Sequence, residues 1–288
     1  MKQRTVTAFC PGHISGYFRR IEGDSITTTG SIGAGIVISE GVTATVAPSK
    51  TASISVDRKD ETGNLIHHSH QSPPLEYILG KLGVTVAVTT ECHLPIGAGF
   101  GLSAAALLAT LTAVNRSHAL GLSPHDIAAL AHEAEVLHKT GLGDVAACQG
   151  GGRVVRMGPG IDAKITRSFD LPVPLYAISF GPISTPSVLG STEQMERVAA
   201  AFPQSLPKDA GDFFRISRLF AEKSGLLTKE AGEVIRACTD NSIPASMTML
   251  GNGVFAYGKK GREILSGSGI VYEFTVAREG ARIIEVGP

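Results

Sequence analysis

The chain of 288 residues contains no tryptophan, and aromatic residues make up only 6% of it. That disfavours an aromatic-lined groove for sugars or single-stranded nucleic acid. Charge of one sign is also lacking. Twenty-six Lys and Arg balance 26 Asp and Glu, so the electrostatic footprint of a general nucleic-acid binder is missing. Cysteine is sparse: Cys10, Cys92, Cys148 and Cys238 stand far apart with no C-x-x-C. Neither a zinc ribbon nor a redox pair is suggested, and buried free thiols in a reducing compartment are expected. Long apolar runs are absent too. The most apolar stretch, Ala104 to Val114, is interrupted by Thr110 and Thr112 and ends at Asn115-Arg116, short of the ~20 residues of a membrane span. Lys2 and Arg4 precede no apolar run of signal-peptide type. The expectation is a soluble cytoplasmic protein with no membrane or nucleic-acid partner.

What is present is glycine, 34 residues of it, in clusters at 30–35, 97–101, 141–143, 150–152 and 251–253. Clustered glycine marks backbone that turns sharply or approaches something closely. Hydrophobic residues are 43% of the chain, enough for a sizeable core. Strands are expected at Thr5–Cys10, Gly35–Ala47, Ala52–Arg58 and Val84–Thr90, from Val, Ile and Thr content with partial alternation. Helices are expected at Leu75–Leu82, Ser103–Asn115 and Pro124–His138, the last with Ser123 as N-cap and Asp126 at N3. Leu171-Pro172-Val173-Pro174 reads as a boundary. Beyond it come a strand at Leu175–Phe180 and helices at Thr192–Ala201, Asp212–Ser224 and Lys229–Cys238. Short strands follow at Ser246–Leu250 and Val254–Tyr257, then a helix near Gly261–Ser266 and strands at Ile270–Thr275 and Ala281–Glu285. The expected class is α+β in two lobes, residues 1–170 and 171–288.

The most informative stretch runs Pro95-Ile96-Gly97-Ala98-Gly99-Phe100-Gly101-Leu102-Ser103-Ala104. Three alternate glycines stand directly before an Ala-rich helix. Such glycines leave N–H groups open to a ligand, and the helix N-terminus adds orphan donors and partial positive charge. Together they form a phosphate cradle. A dinucleotide fingerprint, Gly99-Phe100-Gly101-Leu102-Ser103-Ala104, does not follow its strand directly, because Glu91 to Pro95 intervene. A nucleophile elbow around Ser103 would need a later His after its acid, and no His follows His138. Gly253 to Lys260 approaches a phosphate loop of Walker type but carries Lys260 where Ser or Thr belongs.

What remains, P-x-G-x-G-x-G-x-S-A, resembles the second motif of the GHMP kinase superfamily. Phe9-Cys10-Pro11-Gly12-His13-Ile14 resembles the first motif, and Met249-Leu250-Gly251-Asn252-Gly253-Val254-Phe255 the third. The resemblance covers nearly the whole chain in the expected order. It implies a two-lobed fold, with an N-terminal lobe similar to ribosomal protein S5 domain 2 and a C-terminal α/β sandwich lobe. It further implies ATP and Mg2+ as cosubstrate and cofactor. By the same resemblance Pro95, Gly97, Ala98, Gly99, Gly101, Leu102, Ser103, Gly251, Asn252 and Gly253 would contact ATP phosphates, and the adenine would lie in the N-terminal half.

Phosphoryl transfer needs positioning, charge neutralisation and help for the hydroxyl nucleophile. Asp144, in Thr140-Gly141-Leu142-Gly143-Asp144, is similar to the family's catalytic Asp. Ser103 and Glu135 are similar to its magnesium ligands; Glu133, whose spacing to Asp144 is nearer the family's, stays as a rival. His13 stands where mevalonate-kinase-like members carry Lys. The stretches Pro11-Gly12-His13-Ile14-Ser15-Gly16-Tyr17-Phe18 and Gly30-Ser31-Ile32-Gly33-Ala34-Gly35 resemble the archaeal pantoate kinase subfamily. This implies pantoate as substrate, with His13, Ser15, Ser31 and Gly33 around it, in coenzyme A biosynthesis. Homoserine or mevalonate kinases, or a non-catalytic sensor on the same fold, are the alternatives, and a homodimer is left open. A substrate carboxylate calls for a cation: Arg19, Arg20, Lys139, Arg153 and Arg156 are the candidates. His67-His68-Ser69-His70 is read as a solvated loop.

Overall fold

A computed structural model describes residues 4–287. The chain opens with two long antiparallel strands, β1 (Val6–Ile21) and β2 (Gly30–Pro48). Next come β3 (Ser53–Lys59), β4 (Leu65–Ser69), α1 (Pro73–Leu82) and β5 (Val86–Cys92). Helices α2 (Leu102–His118), α3 (Pro124–His138) and the short α4 (Asp144–Cys148) lead to the small strands β6 (Arg153–Arg156) and β7 (Ile165–Ser168). Then follow β8 (Leu175–Pro182), α5 (Thr185–Leu189), α6 (Thr192–Ala201), α7 (Ala210–Ser224) and α8 (Lys229–Asp240). The chain finishes with β9 (Ala245–Met247), β10 (Gly251–Tyr257), α9 (Lys259–Ser266), β11 (Tyr272–Phe274) and β12 (Arg282–Val286).

The first sheet runs β12-β1-β2-β5-β3-β4, with β6 and β7 attached along the first half of β2. The second runs β11-β8-β10-β9. The change of sheet falls between β7 and β8, and β12 returns to pair with β1. Register shifts at Pro11/Gly12 and Ser15/Tyr17 interrupt the β1–β2 ladder. Such bulges bend a strand and re-aim its side chains; here they flank His13.

Helix α2 is apolar nearly all round, with Ala104, Ala105, Leu107, Leu108, Ala109 and Leu111 buried. A helix without a polar stripe belongs between layers. It packs on β1 and β2 on one side and on α1 and α3 on the other. Its alanines keep those distances short. Helix α3 starts on the expected capping box, Ser123 and Asp126 each bonding the other's backbone N–H. In the second lobe Phe213, Phe214 and Phe255 pack ring against ring between α7 and β10. One hydrophobic core continues through both sheets. Among the described residues no helix is long and apolar enough to cross a membrane.

Several elements differ from expectation. Strands β1 and β2 are longer than Thr5–Cys10 and Gly35–Ala47, because the glycine-rich stretches that read as loops pair with each other. His67-His68-Ser69-His70 is not simply a loop: residues 67–69 lie in the edge strand β4, paired with β3. Strands β6 and β7 and helices α4 and α5 were not expected. They are only four or five residues long, too short to show a period.

Candidate active site

The loop between β5 and α2 holds Gly97, Gly99 and Gly101 at φ of 76°, 83° and 63°. Left-handed backbone at alternate positions is open to glycine at little cost. A Cβ on Gly99 would lie 2.8 Å from the Met249 carbonyl, and one on Gly101 3.0 Å from the His13 backbone. The loop is thus clasped between β1 and the β9–β10 turn. His13 N–H donates to Phe100 O at 2.9 Å, and Ile183 N–H to Gly97 O at 3.1 Å. Helix α2 begins on Gly101 with no side-chain cap and no acidic residue in its first turn. Its first N–H groups remain available to an anion.

Beneath the loop lies a cavity of about 440 Å³. Of the expected site residues, Ser15, Ser31, Gly97, Gly99, Gly101, Leu102, Ser103, Glu135 and Asp144 line it. Pro95, Ala98, Gly33, Gly251, Asn252 and Gly253 do not. Gly251 packs under the loop, where a Cβ would meet Ala98 at 2.0 Å. Asn252 faces Thr228, which bonds its side-chain oxygen at 2.6 Å.

His13 also lies off the cavity. It is fully buried, and its Nδ1 contacts Asp144 Oδ1 at 2.6 Å. Its Nε2 is buried without a partner, against Gly35, where a Cβ would sit 2.2 Å away. The expectation that His13 touches substrate gives way to a place behind Asp144. Burial, helped by the charges of Arg156 and Arg167, lowers the His13 pKa against the hydrogen bond and charge of Asp144, so the imidazole is neutral and Nδ1–H donates. For Asp144, burial would raise the pKa, but the hydrogen bond from His13 and the charge of Arg156 act against it, and the net shift is downward, so the carboxylate is ionised. Its side chain keeps 20% exposure, toward the cavity.

Glu135 is buried on α3, with Oε2 lacking any partner. Burial and then the charge of Asp144 push its pKa well up. A cation would reverse that. Glu133 is spent elsewhere: Lys81 Nζ lies 2.5 Å from its carboxylate, and Tyr77 also donates to it. The geometry therefore separates the two glutamates.

Arg156 stands out among the five candidate cations. Arg153 forms two bonds to Asp170, at 3.0 and 2.6 Å. Arg19 stacks on Phe202, Arg20 bonds Leu189 O and Glu22, and Lys139 is exposed. Arg156 is 3% exposed and lines the cavity, yet only its Nη2 is bonded, to Ser31 Oγ at 3.3 Å. Its Nε and Nη1 have no partner. Gly143 lets the guanidinium approach, since a Cβ there would meet Nε at 2.7 Å. The signal in the sequence was the spacing Arg153-Val154-Val155-Arg156 in a strand, which sends the two side chains to opposite faces. Thr140, Phe18, Ile183, Leu189 and Met249, which sequence reasoning passed over as site residues, also line the cavity.

Comparison with known proteins bears on this geometry. Residues 72–152 match the GHMP kinases N terminal domain. The chain is similar to the pantoate kinase of Methanospirillum hungatei, 45% identical across 99% of this chain and 98% of that protein. It is 34% identical to the pantoate kinase of Thermococcus kodakarensis, covering 93% and 94%. A solved structure described as a phosphotransferase related to the CoA biosynthesis pathway superposes with a TM-score of 0.81 at 27% identity, covering 97% and 98%. Mevalonate diphosphate decarboxylase from Staphylococcus aureus shares the fold, with a TM-score of 0.66 at 13% identity, covering 99% of each chain.

Proposed function

The chain belongs to the GHMP kinases, and within them to the pantoate kinases, and from that premise we propose that it transfers the γ-phosphoryl group of ATP to the terminal hydroxyl of pantoate. The observation that carries the reading is a single cavity shared by the glycine loop, an ionised Asp144 and a buried, half-satisfied Arg156. Pantoate is a small dihydroxy acid with two methyl groups. Arg156 answers its carboxylate, Ser31 and Ser15 its hydroxyls, and Phe18, Ile183, Leu189 and Met249 its methyls. A buried guanidinium left with free donors discriminates strongly for an anion.

The phosphates of ATP lie along Gly97 to Ser103, whose N–H groups and helix N-terminus take up negative charge. The adenine fits the slot between β3, β5 and the start of α1, where Val56, Cys92 and Pro73 line the cavity. In the reaction the pantoate hydroxyl oxygen attacks the γ-phosphorus and the bond to the β,γ-bridging oxygen breaks. ADP leaves, and the hydroxyl proton passes to the Asp144 carboxylate. His13 holds that carboxylate ionised and aimed. Magnesium fits the residues present: Glu135 Oε2 is a buried acceptor without a partner, and Ser103 lines the same cavity. Those two would hold the ion. Mg2+ commonly takes only one or two protein oxygens beside phosphates and water, which suits a site without three clustered acidic or nitrogen ligands among the described residues. When bound, it supplies charge neutralisation at the phosphates. A cytoplasmic location accords with four free, buried cysteines.

ADP release with Mg-ATP and a panel of pantoate, homoserine and mevalonate tests the reading. Turnover with pantoate alone is expected. Turnover with another alcohol and not with pantoate would overturn the substrate.

A further inference from the structure

The cavity does not use the histidines on β4 and just after it, His67, His68 and His70. Strand β4 lies at the edge of the first sheet, and Leu65, Ile66, His67 and His68 on it are exposed. His67 and His68 lie in β4 and His70 just beyond its end, where its ring meets that of His68. His68 stands directly opposite Asp57 of β3. Its Nδ1 lies 2.6 Å from Asp57 Oδ1, and Asp57 is itself fixed by Ser55 Oγ at 2.9 Å. A carboxylate oxygen accepts, so Nδ1 of His68 is the nitrogen that faces Asp57 and Nε2 is the one turned away from it. His68 Nε2 lies 2.9 Å from His70 Nε2, close enough for the two nitrogens to share a proton or, in its place, a cation set to one side of the N–N line. The two rings stand nearly perpendicular, with centroids 4.3 Å apart.

From this arrangement we infer that His68 and His70 form a binding site for a divalent transition-metal ion, with Asp57 as the carboxylate that orients His68. A carboxylate on the far nitrogen of a ligating imidazole fixes its tautomer and raises its basicity. Metal–imidazole bonds of about 2.0–2.1 Å spanning a 2.9 Å separation subtend roughly 90° at the ion. That is a cis angle of a tetragonal or octahedral ion, not of a tetrahedral one. Two imidazole ligands with water in the other positions suit Ni2+ or Cu2+. The site differs in kind from the oxygen ligands of Glu135 and Ser103, which suit Mg2+. No third His, Cys, Asp or Glu joins the pair among the described residues, so the ion stays open to solvent. The inference does not depend on the reaction proposed above.

Titration of the full, tag-free chain with NiCl2 by calorimetry tests it. One ion per chain is expected, with binding lost in His68→Ala and in His70→Ala. Asp57→Asn should weaken it by roughly tenfold. The paramagnetic resonance spectrum of the Cu2+ complex should show two coupled nitrogens, falling to one in His70→Ala. Both histidines are exposed, His68 on the edge strand and His70 just after it, so thermal melts of the variants should match the parent and exclude misfolding. Binding that is absent below millimolar Ni2+, or unchanged in the well-folded His70→Ala chain, would overturn the inference.

Discussion

His13 and Asp144 are 131 residues apart in sequence and 2.6 Å apart in space. The sequence motifs pointed to each separately. Their contact depends on β1 and α4 meeting under the glycine loop, which no spacing encodes. Two residues of the site should consequently fail in opposite ways. His13→Gln removes the donor that aims Asp144 but leaves the cavity wall intact, since His13 is fully buried. A fall in kcat of roughly 10- to 100-fold is expected, with KM for pantoate little changed, as for loss of an interaction that matters in the transition state. In the proposed reading Arg156→Met removes a charge-assisted contact to the pantoate carboxylate. KM for pantoate should rise by roughly 10- to 100-fold, matching about 1.5–3 kcal/mol for a hydrogen bond to a charged group. Steady-state kinetics against pantoate separates the two. A KM effect at His13 would put the imidazole against the substrate after all. Arg156 was one of five cations that sequence could not rank. What distinguishes it is that, of the five, it alone lines the cavity, with Nε and Nη1 buried and unbonded, and that placement is a property of the fold.

At the level of elements, the helices were the most legible. Helices α3, α6, α7 and α8 carry caps and an apolar face, and their observed bounds lie within two residues of expectation. Strands fared differently. The glycine stretches of β1 and β2 lack the alternation that marks a strand, and β4 has no buried face to impose one. The glycine loop between β5 and α2 was legible because left-handed backbone leaves its mark as glycine. That same requirement makes it fragile. Gly99→Ala forces an L-residue to φ near 83° and drives its Cβ to 2.8 Å from the Met249 carbonyl. Backbone on the far side cannot yield as a flexible side chain would. The loop should shift off the β9–β10 turn, with KM for ATP raised by at least tenfold and stability lowered by about 1–3 kcal/mol. ATP titration and chemical denaturation measure the two effects. An Ala variant with unaltered ATP affinity would mean that the loop does not hold the phosphates.

For the molecule as a whole, two lobes share one core, and β12 returns to β1, so the last strand closes the first sheet. A composition shift near residue 170 can mark the change of sheet but not that return. Cooperative unfolding is the consequence, and buried histidines then make global stability depend on pH. His132 on α3 is 1% exposed, and its Nε2–H donates to Thr29 O at 2.9 Å, tying the helix layer to the end of the β1–β2 hairpin. Its Nδ1 is buried with no partner. Burial lowers its pKa below the ordinary 6.5 despite the bonds to backbone carbonyls. The folded chain therefore keeps His132 neutral where the unfolded chain protonates it. The stability this group contributes is full above about pH 6.5 and is lost as pH falls toward the folded pKa, by up to about 1.4 kcal/mol per pH unit. Denaturant midpoints measured between pH 7.5 and 5 on the parent chain and on His132→Gln test this, because other titrating groups cancel in the difference. The variant should be less stable at pH 7.5, having lost a buried hydrogen bond, and should show the shallower decline below pH 6.5. Parallel curves would mean that His132 takes up its proton as readily in the folded chain as in the unfolded one, and that the hairpin end opens to water without unfolding the rest.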